Sequence, residues 1–93
     1  MAPPPGNPNR TEAAILTRLI QPERDDLPPE AARALLRLQF DRSDLDRLHE
    51  LVTKNQDDAL TPSERGELES YLRVSSFVDL MHAKARRSLK KYA

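Results

Sequence analysis

The sequence predicts an all-α fold, with two short N-terminal helices followed by an antiparallel helical hairpin that has a long C-terminal helix. Three observations lead to this prediction. Apolar residues recur every three or four positions in the segments 13–20, 31–38, 45–52 and 68–89, as they do along one face of a helix. Prolines and helix-capping residues separate these segments. No segment shows the alternation of apolar and polar residues that a half-buried strand requires.

The composition limits both the size of the core and the chemistry. The chain has 93 residues, of which 38% are hydrophobic, and it has no cysteine. That length permits one domain with a small core. The lack of cysteine excludes disulfides, thiolate nucleophiles and Cys-based zinc sites. The sequence shows neither a secretory signal nor an apolar run of membrane-spanning length, so the expected compartment is the cytoplasm.

The charges cancel in number but not in position. The chain has fifteen basic and fifteen acidic residues. Residues 41–70 carry nine acids and four bases, whereas residues 84–93 carry five bases and no acid. This asymmetry predicts either head-to-tail contacts or an acidic partner for the C-terminal end.

The N-terminus reads as a tail that leads into the first helix. Residues 1–9 contain four prolines and a glycine, a composition that indicates a disordered segment. The single helical domain is therefore predicted to comprise residues 10–93. Its first helix is about ten residues long, with Asn9 or Thr11 as the N-cap, and it ends before Pro22.

Two further helices follow along the chain. The second is predicted to open at Glu30 behind Pro28 and Pro29, because proline lacks only an N–H group that would be unpaired there. The third is about 15 residues long. Ser43 is its predicted N-cap, and it frays from about Asn55.

The fourth helix has the strongest start signal in the chain. In the tetrapeptide 61–64, Thr61 is the N-cap, Pro62 is the first helical residue and Glu64 completes a capping box. Apolar residues then continue at helical spacing to Leu89, which predicts a helix of about 30 residues. The connection at residues 58–60 is so short that the third and fourth helices must pair antiparallel.

The long helix has more apolar surface than the other helices are expected to cover. At 1.5 Å per residue it is about 45 Å long, whereas the third helix is about 22 Å long and covers only its front half. The first two helices carry few large side chains. We therefore expect a partner to bind the remaining face, with Phe77 as the hot spot. The predicted partner-binding residues are Tyr71, Val74, Phe77, Val78, Met81, Lys84, Ala85, Arg86, Arg87 and Leu89.

No catalytic, metal or cofactor site is predicted. Asp46-x-x-His49 and Asp79-x-x-His82 resemble the Glu-x-x-His motif of di-iron helical bundles. The carboxylate here is the shorter Asp, however, and the first two helices place no Glu within an apolar face, so solvated pairs are the favoured interpretation. The serines lack a neighbouring His base, and the sequence has no phosphate-binding glycine loop, so we do not expect an enzyme.

Three segments together resemble a family of short helical proteins from cyanobacteria and planctomycetes. They are AILTRLIQPERDDLPPEAARALLRLQF, LTPSERGELESYLRV and KARRSLKK. The family pattern includes I-L-x-R-x-I-x-P, then L-T-P-E-E ahead of a Tyr, then K-A-R-x-S-L-K, and it covers about residues 14–91. The chain departs from the pattern at Ser75-Ser76 and at His82-Ala83, where the family has Gly-His and Gln-Ser. Members often neighbour a nuclease gene of the HNH type, so the resemblance implies a small protein that binds and restrains a nuclease.

The sequence therefore predicts a protein-interaction subunit, antitoxin-like or accessory. It would dock the apolar face of its long helix in a groove of the partner, with Lys84, Arg86 and Arg87 pairing with acidic groups at the rim. Two alternatives stay open. Two copies would cover each other's long helices in a homodimer. The basic segment 84–93 would instead bind nucleic acid, with an affinity that falls steeply as salt rises.

Overall fold

The computed structural model of the chain describes residues 8–92, and its regular structure there is entirely helical. A single 3-10 turn, Pro8–Arg10, precedes four α-helices. The prediction of an all-α fold is confirmed for this part of the chain. The predicted tail lies outside the described residues, apart from the two residues that begin the 3-10 turn. The helices are α1 Glu12–Ile20, α2 Pro29–Leu36, α3 Arg42–Gln56 and α4 Pro62–Lys90.

The caps of α1 are built from residues at the edges of its apolar segment. The side chain of Thr11 accepts a hydrogen bond from the Ala14 N–H at 3.2 Å, so Thr11 is the N-cap. At the other end Gln21 adopts a left-handed conformation with φ 53° and donates its N–H to the Thr17 carbonyl. Pro22 follows directly, and a proline cannot continue the helix.

The predicted N-cap of α3 is wrong by two residues. Asp41, and not Ser43, caps this helix, because its carboxylate accepts a hydrogen bond from the Asp44 N–H at 2.8 Å. Both residue types are good N-caps. The tertiary structure favours Asp41 because the preceding residue, Phe40, is fixed by a T-shaped ring contact with Tyr71, with centroids 5.7 Å apart.

The capping box that begins α4 is confirmed in both directions. The Thr61 hydroxyl accepts from the Glu64 N–H at 3.1 Å, and the Glu64 carboxylate accepts from the Thr61 N–H at 3.0 Å. The helix runs for 29 residues, as its apolar spacing predicts. Asp58, which lies in the connection between α3 and this start, has a left-handed backbone conformation with φ 54°.

The three short helices all pack on α4 and not on one another. Among the described residues, each of α1, α2 and α3 lies against α4, and no two of the three pack against each other. Each short helix contributes one buried apolar residue, namely Ile20, Ala32 or Leu51. From α4 come Leu68, Ala85 and the polar Ser88. The core is therefore a thin layer along one long helix.

The molecule is flat and extended for its length. Its Cα atoms occupy 47 × 36 × 16 Å. The radius of gyration is 16.4 Å, whereas a compact chain of this length has about 12 Å. A single spine with three separate attachments accounts for this shape, because no short helix is stacked on another.

Two polar side chains of α4 hold the connection between α1 and α2. The Leu27 N–H donates a hydrogen bond to the buried hydroxyl of Ser88 at 3.2 Å. Lys84 donates to the Ile20 carbonyl at 2.7 Å and forms an ion pair with Asp26 at 3.2 Å. The Lys84 ammonium therefore lies at the C-terminal end of α1, where a positive charge is favourable, and it also lowers the pKa of Asp26.

Replacing Ser88 with Ala should destabilise the protein. The substitution leaves the partly buried Leu27 N–H without its acceptor, and such a loss costs about 1–3 kcal/mol. Ser76→Ala is the matched control, because the exposed Ser76 hydroxyl bonds only to the Leu72 carbonyl of its own helix. Urea unfolding followed by circular dichroism would compare the two, and equal midpoints for both variants would contradict the role given to Ser88.

Candidate interaction surface

One residue in the middle of α4 is exposed although it lies on the face that is buried further along the helix. Successive helical residues are rotated by about 100°, so Val74, Ala85 and Ser88 fall within an arc of about 60°. Ala85 and Ser88 have no exposed surface, whereas Val74 is 48% exposed. The same face of α4 is therefore covered near its C-terminal end and open at Val74.

The open face is the floor of a groove. Two adjoining depressions of 420 and 430 Å³ meet there and share Ser70 and Val74 as lining residues. We call them together the Val74 groove. Leu16 of α1 and Phe77 form one side, and Phe40 and Tyr71 form the other side. The groove therefore lies between α1 and the start of α3, with an apolar, partly aromatic lining.

The rim of the Val74 groove carries charges of both signs. Glu12 and Arg73 lie on the α1 side, and Asp44 and Glu67 lie on the α3 side. Asp44 accepts a hydrogen bond from the Tyr71 hydroxyl at 2.7 Å. This bond, with partial burial of the ring, raises the pKa of Tyr71 and fixes the aromatic wall.

Charged side chains attach α3 to the front half of α4. Arg47 donates two hydrogen bonds to Glu67, at 3.0 and 2.7 Å, and forms a further ion pair with Glu50 at 3.1 Å. Lys54 pairs with Glu64 at 2.6 Å. A two-pronged guanidinium–carboxylate contact fixes geometry better than a single bond does. The contact between Arg47 and Glu67 lowers the pKa of Glu67 and raises the pKa of Arg47.

The predicted partner-binding residues divide into three groups. Val74, Arg86 and Arg87 are exposed. Five residues are half-buried, namely Tyr71, Phe77, Val78, Met81 and Leu89. Ala85 is fully buried within the chain, and Lys84 is engaged with α1 and Asp26. Neither of these last two offers a free surface in this conformation.

The first two helices cover more of α4 than the sequence predicts. The end of α1 and the connection to α2 are bonded to residues 84 and 88, so the open stretch lies near residues 70–77 and not towards residue 89. The sequence signal that was missed is the pair Lys84 and Ser88, which attaches α1 and α2 to α4. Phe77 lies in the wall of the groove and is half-buried, so it serves both the fold and the surface.

The basic C-terminal end is partly neutralised within the chain. Lys84 lies 3.2 Å from Asp26, and Lys91 lies 3.9 Å from Asp25. The exposed bases of this segment are Arg86, Arg87, Lys90 and Lys91. Part of the positive charge of this segment is therefore paired with acidic residues of the same chain, and the rest faces solvent.

The histidines do not meet a set of metal-ligating side chains in the described part of the chain. No group of three or more His, Cys, Asp or Glu residues is placed there to hold a metal ion. His82 instead lies with Nε2 2.8 Å from the Leu38 carbonyl oxygen. A carbonyl only accepts, so Nε2 carries the proton of this bond.

No helix in the described residues is long and apolar enough to cross a membrane.

The ion pairs at the start of α4 should make stability depend on acid pH. Lys54, together with the Thr61 N–H, lowers the pKa of Glu64 to about 2, whereas it is about 4.3 in an unfolded chain. The native state then binds fewer protons than the unfolded state between these values, so the free energy of unfolding should fall as pH falls from about 4.5 to about 2.

The variant Glu64→Gln should flatten this dependence, because glutamine keeps an acceptor for the capping box but does not titrate. Glu69→Gln, on the exposed side of the same helix, is the control. Urea unfolding at several pH values would measure the effect. Parallel curves for the wild type and Glu64→Gln would contradict it. Some dependence should persist, because the pKa values of Glu67 and Asp26 are also lowered.

Comparisons with protein-family models, with curated proteins and with solved structures found no match for this chain. Its function is therefore inferred from the packing around α4 and from the Val74 groove.

Proposed function

We propose that the chain is a small protein-interaction subunit, antitoxin-like or accessory, that buries the middle of α4 against another polypeptide. One observation carries the proposal. Val74 is 48% exposed on a helix face where Ala85 and Ser88 are fully buried. Val74 lies beside the half-buried rings of Phe40, Tyr71 and Phe77, and a contiguous exposed apolar surface of this kind marks an interaction site.

The composition of the Val74 groove supports a protein partner. Its lining contains Phe40, Tyr71 and Phe77, and aromatic side chains are enriched at the centres of protein interfaces. Charged side chains also line the groove, namely Glu12, Asp44, Glu67 and Arg73, and protein interfaces combine an apolar centre with a polar rim. A helix or an extended segment of a partner would lie along the floor, between Leu16 and Phe40.

The groove also has a firm wall on its α3 side. The side-chain pairs between the two helices join residues 54 to 64, 47 to 67 and 44 to 71. Residue numbers fall along α3 as they rise along α4, which supports an antiparallel hairpin. A wall held by several charged pairs loses little conformational freedom on binding, and such preorganisation favours affinity.

The antitoxin-like form of the proposal adds occlusion as its mechanism. A surface of the partner that lies in the Val74 groove is no longer open to substrate. The chain resembles bacterial proteins whose genes neighbour nuclease genes. In the antitoxin-like form of the proposal, the partner is therefore a nuclease. An accessory subunit would use the same surface without blocking its partner.

Site-specific photo-crosslinking in native cells tests the proposal. A photoreactive amino acid at position 74 should give a covalent adduct with another polypeptide, because this side chain faces the groove. Position 72 is the matched control, since Leu72 is 51% exposed on the same helix but is rotated by about 200°. Adducts at 72 and none at 74 would move the interface to the opposite side of α4, and no adduct at either position would remove the proposal.

Nucleic acid is the competing partner. The exposed bases Arg86, Arg87 and Lys90 favour it, but Lys84 and Lys91 lie beside acidic residues of the same chain. We expect fluorescence anisotropy with labelled duplexes to show little binding at physiological salt. Binding that falls steeply with salt, and that Arg86→Glu weakens while Val74→Glu does not, would instead support the nucleic-acid function.

A further inference from the structure

We propose that the polypeptide in the Val74 groove is a second copy of this chain. Two copies would then pack about a two-fold axis that passes near Val74. This inference rests on the proposed function, because it names the partner of the same surface, and it replaces the nuclease of the antitoxin-like form as the occupant of the groove. Its support comes from the surface area, the position of the groove along α4 and the charges at its rim.

The chain exposes more surface than a compact monomer of its mass. Its accessible surface is 7064 Å² for a mass of 10.6 kDa. A compact monomer of that mass exposes about 5,500 Å². A standard interface takes about 800 Å² from each chain. A second copy could therefore bury a standard interface and still leave most of the surface of each chain exposed.

The small size of the core also indicates that a second copy packs on the chain. Only five apolar residues in the described part of the chain are buried, and two of them are alanines. The larger side chains of the groove, Phe40, Tyr71 and Phe77, remain half-buried. A partner that is always present during folding would complete this core, and another copy of the same chain meets that condition.

The groove lies where a symmetric contact is most easily formed. Helix α4 runs from residue 62 to residue 90, so Val74 is close to its midpoint. In a two-fold contact each copy uses the same patch, and two long helices that cross near their midpoints bury equal stretches. Ser70 and Gly66 lie one and two turns before Val74, and both are exposed. Their small size permits a close approach of a second helix, since interaxial distance depends on the side chains at the contact.

The charges permit two copies to meet. The chain has no net charge at neutral pH, so the copies do not repel each other as whole molecules. On the α1 side of the groove the rim carries both Glu12 and Arg73. A copy related by the two-fold axis presents the same pair, so that the dimer can pair Arg73 of each copy with Glu12 of the other. On the α3 side the charge of Glu67 is already balanced by Arg47.

Light scattering on a sizing column would measure the mass of the full chain at a series of concentrations. The expected mass is twice 10.6 kDa. Val74→Glu should raise the dissociation constant of the dimer at least about 100-fold, because it places a charge at the centre of the interface. Leu72→Glu, on the opposite face, should leave it unchanged. Ser70→Arg is a second interface variant at an exposed position, where the serine hydroxyl bonds within α4 to the Gly66 carbonyl and to the Arg73 guanidinium. Circular dichroism would establish that each variant keeps its helicity.

The results separate this inference from the proposed function. A dimer that Val74→Glu and Ser70→Arg dissociate, and that Leu72→Glu leaves intact, supports the second copy. A wild-type chain that is monomeric at every concentration overturns it. If position 74 then crosslinks to a different polypeptide, the proposed function stands with another partner. If it crosslinks to nothing, both proposals are lost. A dimer that only Leu72→Glu dissociates also overturns the inference, because the contact would lie on the other side of α4.

Discussion

The packing of three separate helices on one long helix is the constraint on which the rest of the structure depends. In the described residues α1, α2 and α3 each pack on α4 and do not pack on one another. The packing between α-helices in this part of the chain therefore runs entirely through α4. The stability of the whole fold therefore depends on α4. This helix begins with the most complete cap among the described helices, the reciprocal pair Thr61 and Glu64.

The Val74 groove is the interval between two sets of anchoring contacts. At the front of α4, Arg47 and Lys54 attach α3 through carboxylates. At the rear, Lys84 and Ser88 attach the connection between α1 and α2. Neither set reaches the middle of the helix, where Ser70 and Val74 are left open. The groove therefore results from the positions of these two sets of contacts along α4, and not from an unusually apolar sequence at that point.

Local sequence signals predict the helices. The candidate site depends on long-range contacts, so the sequence predicts it only in part. The capping box and the apolar spacing identify α4 because both act within a few residues. Lys84 and Ser88 look like ordinary polar residues of a basic helix end, since their partners Ile20 and Leu27 lie 64 and 61 positions away. No local pattern reveals such pairs. The rear half of α4 therefore looked open in the sequence, whereas Lys84 and Ser88 are engaged there by the chain itself.

The arrangement around α4 also bears on how the chain folds. No short helix has a surface to dock on until α4 has formed. Helix α3 joins it through pairs only 10 and 20 residues apart, whereas α1 and the connection that follows it must close loops about three to six times as long. The entropy of closure and the contact order both favour the shorter loops. The α3–α4 pair is therefore the natural first unit of assembly, and α1 completes its side of the groove later.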